Sequence, residues 1–188
     1  MSLCLICARV HSIPSGAQLK VKNPSGFRPI LVASTLGHLP TVRTLLLSRA
    51  DPTTPGPLRR TPLHLACLHS AAGPEALISA AGDPELYAAS TLRLSKLLKA
   101  GDQDGWTALH HAAAANCPAK VRMLCEAKAD PCQAIAPHGL SPVHVAARRG
   151  HVHVLEALQQ AGSPLTEQYQ EHTPTSLSGR AGTNKLSG

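Results

Sequence analysis

Arg60-Thr61-Pro62-Leu63-His64-Leu65-Ala66-Cys67 is a short stretch with a recognisable internal logic. Thr can accept a backbone N–H and so start a helix. Pro suits the first helical position, where a missing N–H costs nothing. Leu63 and Ala66 fall on the inward side, and a residue as small as Ala lets a neighbouring helix approach closely. The stretch returns as Trp106-Thr107-Ala108-Leu109-His110-His111-Ala112-Ala113 and as Leu140-Ser141-Pro142-Val143-His144-Val145-Ala146-Ala147. A fainter copy, Phe27-Arg28-Pro29-Ile30-Leu31-Val32-Ala33-Ser34, precedes them.

The copies are in phase. Thr61 follows Arg28 by 33 residues, and Ser141 follows Thr107 by 34. A 33-residue period carrying Thr-Pro-Leu-His-x-Ala is that of the ankyrin repeats. The chain resembles that family over roughly residues 16–165. The resemblance implies an all-α solenoid of stacked helix-turn-helix pairs joined by hairpin finger loops, with about four repeats and partial ends. It also implies that His64, His110 and His144 hydrogen-bond backbone and the capping hydroxyl, a structural task and not a catalytic one.

Within this frame, residues 1–26 read as the back half of an incomplete repeat, with a short helix over Leu3 to Val10 and a finger loop from Gly16. An apolar half-repeat is a poor polar cap for a solenoid end. The expectation is a piece of a longer array, or an end that packs on something else. Repeat one spans 27–60. Its first helix is expected over Pro29 to Leu36, stopped by Gly37, and its second over about Thr41 to Ser48. Val42, Leu45 and Leu46 share one face of that second helix.

Repeat two, 61–103, carries an insertion, because Thr107 follows Thr61 by 46 residues. In one alignment Pro74 to Ala81 is the second helix, Ala81-Gly82-Asp83-Pro84 is the loop signature, and the extra residues extend the finger. In the other, Ser90 to Lys99 is the second helix and the insertion lies between the helices. The first needs one sizeable change to the repeat and is favoured. Both make Ser90 to Lys99 helical, with Leu94, Leu97 and Leu98 on one face and Lys96 and Lys99 in water.

Repeat three, 104–137, begins at Asp104-Gly105-Trp106-Thr107. Asn116 stands where Gly is usual and tolerates the left-handed conformation. Lys128 stands where Gly is expected before Ala129-Asp130-Pro131. Val121, Met123 and Leu124 belong to its second helix. Repeat four, 138–165, has Val152, Val154, Leu155 and Leu158 in that role. Residues 166–188, with His172-Thr173-Pro174, read as a degenerate cap and a disordered tail.

Composition agrees with thin layers. Aromatics are 2% of 188 residues, so the core must be Leu, Ala, Val and Ile. A net charge of +7 favours acidic partners, nucleic acid or anionic lipid without choosing among them. Cys4, Cys7, Cys67, Cys117, Cys125 and Cys132 read as reduced thiols, consistent with a cytoplasmic or nuclear setting. No apolar run reaches the length of a membrane span, and the N-terminus is a poor signal peptide.

Chemistry is sparse. Cys4-x2-Cys7 with His11 lacks a second ligand pair. His151 and His153 fall on different helical faces. There is no Gly-x-Ser-x-Gly elbow, phosphate loop or paired-carboxylate arrangement. No catalytic, cofactor or metal site is expected. The surface is then for binding. In the family the concave face is built from the fingers and the outer side of the first helices, and the residue before the capping Thr projects from the finger. Those positions hold Phe27 or Arg28, Arg60, Trp106 and Leu140. The ends of the first helices add Leu68 and His69, Ala114 and Ala115, Arg148 and Arg149. One aromatic among arginines has the composition of an interface hot spot. In the other reading Trp106 covers a neighbouring finger and the arginines are only solvated.

The expected site is Arg60, Trp106, Arg148 and Arg149, binding a protein with an acidic surface. The expected function is that of a monomeric, non-catalytic interaction scaffold or adaptor. The rivals are a targeting fragment of a larger enzyme or channel, and nucleic-acid binding through the basic surface. Few aromatics for base stacking count against the last.

Overall fold

The computed structural model describes residues 18–69, 74–82, 90–135 and 139–164. Among them are nine α-helices. The first unit, Met1–Gln103, contains α1 (Pro29–Leu36), α2 (Leu39–Leu47), α3 (Pro62–His69), α4 (Pro74–Ala81) and α5 (Ser90–Lys99). The second unit, Asp104–Gly188, contains α6 (Ala108–Ala114), α7 (Pro118–Glu126), α8 (Pro142–Arg149) and α9 (Val152–Gln160). The described residues form no strand, only one bridging pair, Ile135 with Leu140. This is an all-α repeat fold.

The layering follows from the recurring motif. In the first unit α1 packs on α2 and α3, α2 on α4, and α4 on both α3 and α5. In the second unit α6 packs on α7 and α8, α7 on α9, and α8 on α9. First helices thus stack on first helices, α1 on α3 and α6 on α8, and in the second unit α7 stacks on α9. The first helices are apolar nearly all round, as helices sandwiched between others must be. Leu63, Ala66 and Cys67 are fully buried, as are Ala112, Ala113, Val143, Ala146 and Ala147.

Second helices bury one stripe only. Val42, Leu45 and Leu46 face inward on α2, Val121 and Leu124 on α7, and Val154, Ala157 and Leu158 on α9. Two expectations shift in detail. Helix α2 starts at Leu39, two residues earlier than read, with Pro40 in its first turn. Val152 opens α9 and is exposed, while Ala157 takes the inward place.

Helix ends follow the turn chemistry. Gly37 and Gly150 close α1 and α8 in the left-handed conformation, φ 69° and 70°, which costs a residue without Cβ nothing. Asn116 does the same after α6 at φ 53°. The second helices end less comfortably. Arg49 and Lys128 hold φ 68° and 72°, where Gly162 in repeat four holds φ 90°.

The expected half-repeat helix over Leu3 to Val10, the Cys4, Cys7 and His11 group, Asp83-Pro84 and the segment from Thr166 lie outside the described residues. Among the described residues no helix is long and apolar enough to cross a membrane. Nor do three or more His, Cys, Asp or Glu cluster in a way that could hold a metal ion.

Candidate functional site

The motif histidines lie in the core. The Thr107 backbone N–H donates to His110 Nδ1 at 3.2 Å, and the Thr107 hydroxyl lies 2.8 Å from the same nitrogen. A backbone N–H only donates, so Nδ1 is the acceptor and the ring proton sits on Nε2. Nε2–H then donates to the Leu140 carbonyl, 3.1 Å away in the next finger. Thr61 with His64 and Ser141 with His144 repeat the Nδ1 half of the arrangement, with hydroxyl-to-Nδ1 distances of 2.7 Å in both. The hydroxyls of Thr107 and Ser141 also receive the third backbone N–H of their helices, completing a capping box in which His replaces the usual Glu or Gln. All three imidazoles hold caps, and His110 also holds a finger.

In the first unit the fingers lie side by side. Gln103 N–H donates to the Leu58 carbonyl at 2.9 Å. Arg60 Nε lies 3.5 Å from Asp102 Oδ2, and Asp102 is buried to 1% side-chain exposure against 25% for Arg60. The Nε–H makes no hydrogen bond, so the contact is an ion pair. Part of Arg60 is therefore occupied in neutralising a buried carboxylate, which the sequence reading did not anticipate. Leu58 and Arg59 at the finger tip are both left-handed, φ 56°, and both exposed. Arg28 is half-buried, with its Nε buried and without a hydrogen bond.

The second unit holds the other three expected residues. Trp106 is half-buried. Its ring is tilted over two imidazoles, 5.3 Å from His111 and 6.0 Å from His110 between centroids. It rests on the helix it precedes. Arg148 and Arg149 close α8 and are exposed. Arg149 Nη1 donates to the Ala114 carbonyl at 2.9 Å, and His151 Nδ1 lies 2.9 Å from the Ala113 carbonyl. Two side chains from the following repeat thus satisfy carbonyls at the C-terminal end of α6, where cations and donors are favoured. Arg149 has a structural task as well as exposure, and Arg148 is the freer guanidinium.

Arg60 lies in the first unit, and Trp106, Arg148 and Arg149 lie in the second. His111, buried beneath Trp106, belongs with the second group and was missed. Its signal was available, since it stands four residues after the capping Thr and faces the same side as Leu65 and Val145 in the other copies. Asp102 had no comparable signal, because its partner lies 42 residues earlier.

Layered helix pairs, self-capped by a Thr or Ser with a His, define a helical repeat protein. A family model described as ankyrin repeats (3 copies) matches residues 30–169, most of the chain. The chain belongs to the ankyrin-repeat family. Ankyrin repeats are generally protein–protein interaction modules and typically non-catalytic. No curated protein matches the chain.

Proposed function

We propose that the chain is a non-catalytic interaction scaffold. It binds a protein with an acidic surface on the side formed by the fingers and first helices, the concave side in this family. The supporting observation is that three of the four expected residues belong to one unit, Trp106 before α6 and Arg148 and Arg149 at the end of α8, which packs on α6. Trp106 offers an aromatic edge stiffened by two imidazoles, and the end of α8 offers the exposed Arg148. A planar guanidinium pairs with carboxylates bidentately, and a rigid aromatic provides contact area at low entropic cost. Arg149 contributes charge while holding Ala114. Arg60 belongs to the first unit, where its charge is partly spent on Asp102, and any contact that it makes with a partner is separate from this group.

We also read α4 as the second helix of repeat two, because it stacks on α2 as second helices do, and α5 as the inserted element.

Partners captured by the full chain and identified by mass spectrometry provide the ligand for the test. Arg148→Glu should weaken binding by about tenfold or more, since like charges across an interface are costly. The fold should persist, because Arg148 is exposed and supports no other element. Unchanged affinity removes Arg148 from the site. The nucleic-acid alternative predicts a steep loss of affinity with salt for an oligonucleotide.

A further inference from the structure

The inserted helix α5 turns a distinct stripe outward. Leu92, Lys96 and Lys99 follow at spacings of four and three, share one helical face and are exposed. Leu97 and Leu98 are buried on the other side. The helix contains no acidic residue. Helix α5 packs on α4 and α4 on α2, and α2 repeats the composition. Pro40, Arg43, Thr44 and Leu47 are its exposed residues along one stripe, again without an acid, and Arg49 follows, exposed. Arg93 Nη1 donates to Asp51 Oδ1 at 2.7 Å, tying the first turn of α5 to the chain just past α2. The ion pair therefore joins the residue after Leu92 to the chain four residues beyond Leu47.

These are the two most exposed large apolar side chains among the described residues, 71% each. Around them stand Arg43, Arg49, Lys96 and Lys99. Against these, Asp51 is engaged by Arg93 and Thr53, and Glu75 on α4 is the exposed acid on these helices. The wider charge agrees. Residues 1–103 contain 11 Lys and Arg against 5 Asp and Glu, so +6 of the net +7 belongs to the first unit.

We propose that the second-helix side of the first unit docks on an anionic phospholipid surface. Leucines that stand out from a helical face, and do not line a groove, can enter the boundary between headgroups and acyl chains. Lysine stems are long enough to follow them while the ammonium groups stay among the phosphates. A folded acidic partner would need a recess shaped to receive each leucine, whereas a fluid lipid layer closes around them. The insertion supplies Leu92, Lys96 and Lys99, so the surface belongs to this chain and not to the repeat pattern. The proposal is independent of the protein site on the finger side.

The test is co-sedimentation of the full chain with vesicles of phosphatidylcholine alone and of phosphatidylcholine with phosphatidylserine, at low and at high salt. Binding is expected only to the phosphatidylserine vesicles, weakening at high salt. Replacing Lys96→Gln and Lys99→Gln together should lower the partition coefficient roughly 25-fold, each cation near an anionic surface contributing about fivefold. Leu92→Ser should weaken it as well. All three positions are exposed, and circular dichroism confirms that the variants fold. No binding, equal binding to both vesicle types, or variants that bind like the parent would overturn the proposal. So would a result in which vesicles are ignored while an acidic protein partner loses affinity for the double variant, since that assigns the face to protein. Loss of the protein partner on Arg148→Glu with vesicle binding intact is the pattern expected if both readings hold.

Discussion

At the scale of single residues, the motif Thr and His form a closed hydrogen-bonding unit. Thr107 is buried, and its hydroxyl serves both a helix N–H and the His110 ring. Thr107→Ala should therefore cost about 1–2 kcal/mol, the upper range for a lost helix cap. A lower urea midpoint with an unchanged slope would register it, and a wild-type midpoint would refute it. Long-range 15N NMR should find His110 in the Nε2–H form. Cys125 offers a contrast in reactivity. Burial, with a smaller contribution from Glu126, pushes its thiol up to about 11. A raised value means that the proton is held through pH 8 and 9 and that thiolate forms only as pH climbs toward 11. Alkylation by iodoacetamide at mild alkaline pH should label the exposed Cys132 well before Cys125, which needs a more basic solution. Equal rates would contradict this. The capping unit was legible because its parts lie three residues apart. The burial of Cys125 was not, because it depends on what packs against α7.

At the scale of elements, helix ends separate what spacing encodes from what it tolerates. The sequence shows Lys128 where a glycine is expected, and the structure shows the consequence: Lys128 holds φ 72° and still closes the turn, its N–H donating to the Cys125 carbonyl at 2.9 Å. A left-handed residue with a Cβ costs roughly 1–2 kcal/mol. Lys128→Gly should recover about 1 kcal/mol, part of the gain being lost to the greater freedom of glycine in the unfolded chain. A rise in the denaturation midpoint would show it, and a fall would mean that the lysine stem packs usefully. Helix α5 tests a different balance. Leu97 is fully buried, so Leu97→Ala should cost about 2–5 kcal/mol. The Arg93–Asp51 pair is only partly shielded, at 30% and 50% side-chain exposure, so Arg93→Ala should cost about 1 kcal/mol or less. Equal losses would mean that the ion pair, and not the apolar face, anchors the insertion. That α5 is helical with Leu97 and Leu98 inward was readable from the pattern. That it lies against α4 was not, since a 3.6-residue period names a buried face without naming its neighbour.

At the scale of the molecule, the all-α repeat fold and the ankyrin family were determined by the sequence alone. Each rests on signals within a few residues of one another, repeated after 33, 46 and 34 residues. Tertiary structure decided which surface residues are committed. Arg149 reaches the Ala114 carbonyl 35 residues away, Arg93 reaches Asp51 across 42, and Arg60 sits beside Asp102. In sequence these arginines look alike. Stacking separates them, because whether a guanidinium meets a carbonyl, a carboxylate or water depends on which layer lies beside it, and no local spacing records that.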